Sequence, residues 1–392
     1  MRRLFLRIAA AVLATACLPA AASAASFYDP PEPLPNTTPG TLLRAEPMEF
    51  QGATKPPAGT VGYRILYVSR TALGEPVAVS GSLVLPNATA QPRTLIGIAP
   101  GTHGMGDACA PSRVLAYGAE QELDKINRFL ADGYAVVMTD YEGLGTPGVH
   151  PYGVNVAAGR DLLDALRAAR QVAGTGLETD GKLGVFGYSQ GGGAVGSAIE
   201  QQPSYAPELK ITAAVVGGVL GEPARIPNAL FGNFWAGVAL MAVIGYDSAY
   251  DLGLKSTLTQ FGRNALSSTA KWCVVNASIP LQYAQMAWFT KGGKNPVATA
   301  PWRARMDQNT LGYGKPNVPI YQYHGEWDQT LNYNSAKRVR ARWCAGGADV
   351  RFVTVRFAEH FIADAAGFGP AANWLQAKLS GRGTPSGNCP AA

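Results

Sequence analysis

Ser189 occupies the centre of Gly187-Tyr188-Ser189-Gln190-Gly191, between a short apolar run and a segment of small residues. The run KLGVFGY predicts a buried strand, and the following QGGGAVGSAIEQ predicts a helix. Strand, Gly-x-Ser-x-Gly and helix in this order are the context of a nucleophile elbow, in which a helix N-terminus favours the negative charge of acyl transfer. We therefore predict that Ser189 is a nucleophile and not part of a chance turn.

A serine nucleophile needs a base, and the chain contains four histidines: His103, His150, His324 and His360. In hydrolases with this elbow the serine comes first along the chain, the acid second and the histidine third, so only His324 and His360 come late enough. His360 follows the last predicted strand, in the loop AEHFIAD, and is our predicted base. His324 ends the preceding strand and is predicted to be a hydrogen-bonded structural residue.

The acid is expected after the strand that ends near His324, where HGEWDQTLNY offers two carboxylates. Asp328 lies further into the loop, where a short carboxylate can reach the second nitrogen of the histidine and hold its tautomer. We predict Asp328 as the acid. Glu326 is the first alternative, and Asp349 and Asp364 are more distant ones.

An oxyanion hole needs two N–H donors. One is predicted at Gln190, directly after the nucleophile. The other is predicted in the glycine-rich loop APGTHGMGDACAPS, with Gly104 as the first choice and Thr102, His103 and Met105 as alternatives.

A second loop at a strand end, TDYEGLGTPG, contains Asp140 and Glu142. Paired carboxylates are used in glycosidases, but these two are close neighbours in one loop with no further partner in view. We interpret the segment as a structural loop that borders the pocket.

Eight strand-like segments position these residues. VGYRILYVSR and VAVSGSLVLP alternate in polarity and predict an antiparallel pair. Most of the six that follow (TLIGIAP, YAVVMTDY, KLGVFGYS, ITAAVVGG, VPIYQYHG and DVRFVTVRF) are continuous apolar runs, typical of buried parallel strands. Helical segments such as GRDLLDALRAARQVAG lie between them. The order predicts the α/β class, with a mostly parallel central sheet flanked by helices.

Residues 219–317 interrupt this alternation and include the very apolar segment ALFGNFWAGVALMAVIGYD. Asn228, Asn233 and several glycines interrupt the run, so we do not predict a membrane span. We predict a mainly helical cap that lines an apolar pocket, inserted into a core of residues 61–218 and 318–392. An ordinary buried helix pair is the alternative.

The N-terminal segment is typical of export. Arginines precede an apolar run and an Ala-Ser-Ala site, which predicts a secretory signal peptide over residues 1–24 and a secreted protein. Acylation of Cys17, as in a lipoprotein, is a weaker alternative. The proline-rich residues 25–60 are predicted to form an extended arm.

Composition excludes several classes of protein. The formal net charge of +6 includes the arginines of the signal peptide, and no basic cluster with interleaved aromatics occurs, so no nucleic-acid partner is expected. Without the signal peptide the cysteines are even in number, which favours two disulfides in one of three connectivities; they are Cys109, Cys273, Cys344 and Cys389. No spacing typical of a zinc site is present, so no metal is expected.

Together these motifs resemble the secretory lipase family of the α/β-hydrolases, which includes fungal lipase A and secreted actinobacterial lipases. The matching segments, in the family's order, are FYDPPEPLP, CAPS, DYEGLGTP, GYSQGG, HGEWDQTLNY and EHF. The resemblance implies an α/β-hydrolase fold with a helical cap between the sixth and seventh core strands. It also implies Ser189 as nucleophile, Asp328 as acid and His360 as base.

The resemblance further implies a disulfide between the cysteine of CAPS and the cap, which is Cys109 with Cys273. Cys344 and Cys389 are then left to pair with each other.

We therefore expect a secreted serine ester hydrolase (a lipase or carboxylesterase) that acts on acylglycerols or similar lipid esters without a cofactor and contacts lipid interfaces transiently. A prolyl-oligopeptidase-like exopeptidase is an alternative, but the aromatic cap offers no acidic site for a peptide amino terminus. A non-catalytic binding protein on the same fold is another, and the intact Ser, Asp and His argue against it. Acyl chain length and oligomeric state stay open.

Overall fold

The structure is a computed structural model that describes residues 26–87 and 94–389. The predicted signal peptide and Cys17 lie outside the described residues. Within the described part the strands are β1 (Leu42–Met48), β2 (Val61–Arg70), β3 (Pro76–Leu85), β4 (Leu95–Ala99), β5 (Ala135–Thr139), β6 (Leu183–Tyr188), β7 (Ile211–Gly217), β8 (Ile320–Gly325) and β9 (Val350–Val355).

The helices of the same residues alternate with these strands. They are α1 (Pro111–Ala116), α2 (Leu123–Ala131), α3 (Asn155–Ala169), α4 (Gln190–Tyr205), α5 (Ile226–Leu230), α6 (Ala236–Tyr250), α7 (Leu254–Thr257), α8 (Gln260–Thr269), α9 (Val274–Leu281), α10 (Met286–Phe289), α11 (Ala300–Asp307), α12 (Tyr333–Ala345) and α13 (His360–Leu379).

All the described strands belong to one sheet with the order β1-β2-β3-β5-β4-β6-β7-β8-β9. The first three pair antiparallel, β3 pairs antiparallel with β5, and the pairs from β5 to β9 are parallel. Every residue of β4, β5, β6 and β8 is buried, as expected for parallel strands covered on both faces. Strands β2 to β9 coincide with the eight predicted segments, so the predicted fold class is confirmed.

Strand β1 lies in the segment predicted only as an extended arm. It pairs antiparallel with β2, with a register irregularity between Leu42 and Arg44. Most of its residues are half-buried, as in an edge strand, and that gives a weak sequence signal. Before it, Phe27 and Tyr28 are buried in a small cluster with Leu66 and Ala78.

Helices cover both faces of the sheet. On one face α3, α4 and α12 contribute Leu162, Val195 and Trp343 to the main apolar cluster. On the other face α1, α2 and α13 pack in a separate cluster that includes Phe129 and Trp374. The carboxyl ends of the parallel strands are left free between these layers, which is where sites form in such sheets.

Helices α5 to α11 lie between β7 and β8, and we call them the helical insertion. They fall inside the range 219–317 predicted for the cap. They surround their own apolar cluster, centred on α6, in which residues 236–246 are all buried. A helix that is apolar all round needs burial on every side, and the insertion provides it. Among the described residues no helix has the length and apolarity that crossing a bilayer requires.

Candidate active site

Ser189 lies between the last residue of β6 and the first residue of α4. Its φ of 61° is unusual for a residue with a side chain and is a strain typical of functional sites. A Cβ at Gly187 would overlap the backbone of Gly191, and a Cβ at Gly191 would overlap the carbonyl of Ala99. The two glycines therefore permit the close approach that the turn requires.

The structure brings Ser189, His360 and Asp328 together in one chain of contacts. Nε2 of His360 lies 2.9 Å from Oγ of Ser189, and Nδ1 lies 2.6 Å from Oδ2 of Asp328. Asp328 and His360 are 6% and 4% exposed, so little water screens their interaction. The geometry is that of a nucleophile, a base and an orienting acid.

The loop after β8 holds the Asp328 carboxylate in place. Oδ1 accepts hydrogen bonds from the backbone N–H groups of Thr330 and Leu331, at 2.9 and 2.7 Å. Burial raises the pKa of Asp328, but hydrogen bonds from His324 and His360 lower it by more, and the net pKa is well below its usual range. Asp328 is therefore a carboxylate at neutral pH.

His324 is fully buried and makes the structural hydrogen bonds expected of it. Its Nε2 lies 2.6 Å from the carbonyl oxygen of Leu331, which can only accept, so Nε2 carries a hydrogen. The same nitrogen is 3.3 Å from Oδ2 of Asp328. The sequence analysis did not foresee this second contact to the acid.

His360 is the first residue of α13, whereas the sequence placed it in a loop. The helix begins one residue after Glu359, whose side chain caps it by accepting a hydrogen bond from Ile362 N–H at 2.6 Å. The hydroxyl of Tyr188 donates to the His360 carbonyl oxygen at 2.5 Å. These contacts fix the backbone that carries the imidazole.

The alternative acids have other partners. Glu326 accepts a hydrogen bond from Phe357 N–H, Asp349 accepts one from Gly387 N–H, and Asp364 pairs with Lys125. Of the four candidate carboxylates, all of them in the described part of the chain, Asp328 is the one that contacts His360.

Gln190, the predicted first oxyanion donor, is held by a histidine that the sequence analysis did not assign. Burial lowers the pKa of His150 to about 4, so its ring is neutral. Nδ1 donates to the Glu142 carbonyl oxygen at 2.8 Å, and Nε2 accepts from the Gln190 side-chain amide at 3.0 Å. The scarcity of histidine was the only sequence signal for this role.

The predicted second donor, Gly104, lies where the loop after β4 meets the helical insertion. It forms an isolated antiparallel bridge with Cys273, and its φ is 133°. The alternative Thr102 lines the cavity that contains Ser189, and its hydroxyl lies 2.8 Å from that of Tyr152. Which backbone N–H is the second donor stays a prediction.

Buried charged side chains stabilise the loop after β4. Nδ1 of His103 donates to the Gly101 carbonyl oxygen at 2.9 Å, and Nε2 lies 3.0 Å from the Glu120 carboxylate. Burial lowers the pKa of His103, but Glu120 raises it by more, to about 9, so the ring is charged at neutral pH. Glu122 accepts a hydrogen bond from Gly101 N–H at 2.9 Å.

The loop TDYEGLGTPG has a structural role as interpreted, but none of its residues lines the cavity that contains Ser189. Asp140 is fully buried and accepts hydrogen bonds from the hydroxyls of Ser80 and Ser112. Burial raises the pKa of Asp140 to about 6 and that of Glu142 to about 7. Through these contacts the loop joins β3, β5 and α1.

A cavity of about 510 Å³ opens beside Ser189 and His360. One side is apolar and comes from the helical insertion, with Leu230, Phe234, Trp235, Val238, Ala242 and Val275. Its size is typical of a site for a small organic ligand. An apolar wall beside Ser189 suits a ligand with a hydrocarbon part.

Two disulfides occur among the described residues, and they are the pairs implied by the resemblance. Cys109 is bonded to Cys273, which joins the loop after β4 to the helical insertion. Cys344 is bonded to Cys389, which joins α12 to the C-terminal segment. In residues 26–87 and 94–389 no group of three or more His, Cys, Asp or Glu side chains is placed to hold a metal ion.

Residues 110–387 match the family described as secretory lipase. The chain belongs to the secretory lipase family. The match includes the elbow, the loop with Asp328 and the start of α13, whereas the segment FYDPPEPLP, on which the resemblance also depended, precedes it.

Curated relatives match along most of the chain. Lipase A of Arthroderma benhamiae is 28% identical over 91% of this chain and 79% of its own length, and a secreted triacylglycerol lipase of Malassezia furfur is 26% identical over 92% and 76%. A relative from Mycobacterium tuberculosis, 27% identical over 91% of this chain and 82% of its own length, is named a probable inactive lipase. Overall similarity to named lipases therefore does not by itself show activity, and the site residues of this chain have to be considered.

Solved structures show the same fold. Candida antarctica lipase A in its closed state has a TM-score of 0.82 and 22% identity, covering 94% of this chain and 89% of that one. The cell wall degrading esterase LipA of Xanthomonas oryzae has a TM-score of 0.69 and 20% identity, covering 87% and 97%. The predicted family and α/β-hydrolase fold are thus confirmed, and the matches agree with a secreted lipase or esterase.

Proposed function

We propose that the protein is a secreted serine lipase or carboxylesterase that hydrolyses acylglycerols or similar lipid esters through an acyl-enzyme intermediate. The observation that carries the proposal is the contact chain from Ser189 through His360 to Asp328, opening into a cavity with an apolar wall.

In the first half of the reaction, Nε2 of His360 accepts the Ser189 proton as Oγ attacks the ester carbonyl carbon. The Asp328 carboxylate stabilises the imidazolium that forms and keeps hydrogen on Nδ1. Backbone N–H groups of Gln190 and of the loop near Gly104 or Thr102 stabilise the oxyanion. When the tetrahedral intermediate collapses, His360 returns the proton to the departing alcohol oxygen, and the acyl group stays on Ser189.

In the second half, water takes the place of the alcohol. His360 removes a proton from the water as it attacks the acyl carbonyl, and the same proton is returned to Ser189 Oγ as the carboxylic acid leaves. The residues of this chain supply every group in both steps, so the mechanism needs no metal or organic cofactor.

Two further observations support a lipid-like substrate encountered at a surface. The cavity wall from the insertion is apolar, and Val275, Ile279 and Trp288 of the insertion are more than half exposed. Exposed apolar side chains close to a cavity are typical of contact with a lipid surface. We expect Val275→Ser with Ile279→Ser to weaken adsorption to a triacylglycerol emulsion more than turnover of a dissolved ester, and equal losses would contradict the surface role.

Export is supported by the predicted signal peptide, by the two disulfides and by relatives that are named as secreted. Sequencing the N-terminus of protein recovered from the culture medium of an expressing bacterium should begin at Ala25. Retention of the full chain inside the cells would contradict export.

Activity is tested with p-nitrophenyl butyrate and an aminoacyl p-nitroanilide as substrates for the wild type, Ser189→Ala and Ser204→Ala. The last variant removes an exposed hydroxyl from the same helix and is the matched control. We expect ester turnover by the wild type and the control, and a loss of about 10⁴-fold or more in Ser189→Ala. Full activity of Ser189→Ala, or no ester turnover by folded wild type, would overturn the proposal, and preferred turnover of the anilide would favour an exopeptidase.

A further inference from the structure

The cavity beside Ser189 has a second wall that is charged. It consists of Gln121, Glu122, Lys125 and Asp364, from the start of α2 and the first turns of α13, and we call it the charged wall. Nζ of Lys125 lies 2.7 Å from Oε2 of Glu122 and 2.8 Å from Oδ2 of Asp364. An ester with two hydrocarbon parts would not need such a wall.

The ammonium at the centre of this wall is buried and keeps its charge. Lys125 is only 8% exposed. Burial lowers the pKa of its ammonium, but Glu122 and Asp364 raise it by more, so Lys125 keeps its charge. Transferring such ions out of water is unfavourable, which makes a purely apolar lining the more stable alternative.

Structural contacts within the protein account for only some of the hydrogen-bonding groups of the charged wall. Glu122 holds the loop after β4 through Gly101 N–H, and Lys125 links Glu122 to Asp364. An ammonium has three donors, and in the described part of the chain two of them have partners. The third donor belongs to a side chain that is more than nine-tenths buried and faces the cavity.

The position of the wall relative to the base shows which part of an ester would meet it. Asp364 comes four residues after His360 on α13, so the two side chains lie on the same face, one turn apart. In the proposed reaction His360 gives its proton to the leaving oxygen. The alcohol part of the ester must therefore lie beside His360, while the apolar wall takes the acyl chain.

We propose that the charged wall is a subsite for hydroxyl groups on the leaving alcohol, so that the preferred substrates are esters of polyols, such as partial acylglycerols. This inference rests on the proposed function. The free N–H of Lys125 donates to a hydroxyl oxygen, and the carboxylates of Glu122 and Asp364 accept a hydroxyl hydrogen. A simple alkyl ester offers no partner to the third N–H of Lys125 or to the remaining acceptor positions of the carboxylates after they lose water, which disfavours its binding.

A matched pair of substrates tests the subsite: glycerol 1-monobutyrate and n-propyl butyrate. Both have the same acyl group and a three-carbon alcohol, and they differ only in two hydroxyls. The measured quantity is the ratio of their kcat/KM values, in which effects on Ser189 or on the oxyanion hole cancel. We expect the wild-type ratio to favour the glycerol ester about tenfold, the effect of one hydrogen bond to a charged group.

Two variants and one control test whether the preference for the glycerol ester depends on the charged wall. Lys125→Met and, separately, Asp364→Asn should each lower the ratio several-fold, whereas Lys210→Met, which removes an exposed lysine away from the cavity, should leave it unchanged. Because Lys125→Met leaves the buried Glu122 carboxylate and the partly exposed Asp364 carboxylate without their cation, circular dichroism and Tm are measured first. If that variant does not fold, the near-isosteric Asp364→Asn decides alone.

The outcomes separate the two proposals. Turnover of both esters with a wild-type ratio near one, or a ratio that the folded wall variants do not change, would overturn the subsite and leave the esterase proposal standing. No turnover of either ester by folded wild type would overturn the esterase proposal itself.

Discussion

Asp328 and His360 are 32 positions apart in the chain, yet Oδ2 of Asp328 lies 2.6 Å from Nδ1 of His360. Glu326, only two residues before Asp328, instead accepts a hydrogen bond from Phe357 N–H at 3.2 Å. The carboxylate that contacts His360 is therefore distinguished from its neighbour by position within one short loop.

This distinction predicts a large loss of kcat for one substitution and a small change for a similar one two residues away. Asp328→Asn keeps the shape of the side chain but favours the wrong histidine tautomer, so we expect kcat on p-nitrophenyl butyrate to fall about 10⁴-fold. Glu326→Gln should change kcat less than about threefold, because an exposed amide can still accept from Phe357 N–H. A larger loss in Glu326→Gln than in Asp328→Asn would assign the acid to Glu326.

The disulfide from Cys109 to Cys273 is predicted to support activity as well as stability. It holds the loop after β4 against the insertion, together with hydrogen bonds from Val274 N–H to His103 and from Met105 N–H to Trp272. Cys109→Ser with Cys273→Ser should lower the free energy of unfolding by about 2–4 kcal/mol. It should also lower kcat/KM, since the loop carries a predicted oxyanion donor.

The second disulfide is the control for this experiment. Cys344→Ser with Cys389→Ser removes a crosslink between α12 and the C-terminal segment, away from the cavity. We expect lower stability in urea unfolding, but unchanged kcat/KM at a temperature where the variant is folded. Equal losses of kcat/KM in both double variants would show that the first disulfide has no particular role at the site.

The buried pair of His103 and Glu120 predicts a loss of stability in alkaline solution. The pKa of His103 is raised from 6.5 to about 9 in the folded protein. The contribution of protonated His103 to the free energy of unfolding is therefore complete below about pH 6.5 and is lost as the pH rises through 9. Its total is on the order of 3 kcal/mol.

The check is urea unfolding between pH 6.5 and 10. His103→Gln with Glu120→Gln removes both charges, so the variant leaves neither partner buried alone. The wild type should lose more stability than this variant across that interval. Parallel pH profiles for the two proteins would contradict a charged His103.

The nucleophile elbow predicts that Gly191 tolerates no side chain. Since a Cβ there would overlap the Ala99 carbonyl, Gly191→Ala should lower the free energy of unfolding by about 3 kcal/mol and displace Ser189. Gly383→Ala is the control, because Gly383 lies in the C-terminal segment with open space around its Cβ position and no positive φ. The control should stay within about 0.5 kcal/mol of the wild type, measured by urea unfolding.

Much of this arrangement is local in the sequence and could be predicted from it. The runs of β4 to β8 are short and mainly apolar because both faces of a parallel sheet are buried, so β2 to β9 were recognised with their pairing type. Ser189 was recognisable because its turn needs glycine on both sides, next to a strand and a helix. The chain order of serine, acid and histidine then restricted the base to two residues.

Other features come from residues that are distant in sequence and have no local signal. Strand β1 gains its structure from pairing with β2. The helix start at His360 was missed for a local reason, because Glu359 caps it and glutamate is not among the preferred N-cap residues. The contacts of His150 with Gln190 and of His324 with Asp328 depend on how the loops meet.

The sequence by itself predicted the strand segments, the fold class, the nucleophile and a short set of partners for it, because periodicity and turn chemistry are properties of neighbouring residues. Only the tertiary structure decided which carboxylate meets His360 and which charges share the cavity with Ser189. Lys125 and Asp364, 239 positions apart, become partners because α2 and α13 pack on the same face of the sheet. Such contacts depend on how whole helices and strands pack, so they cannot be predicted from any short segment of the sequence.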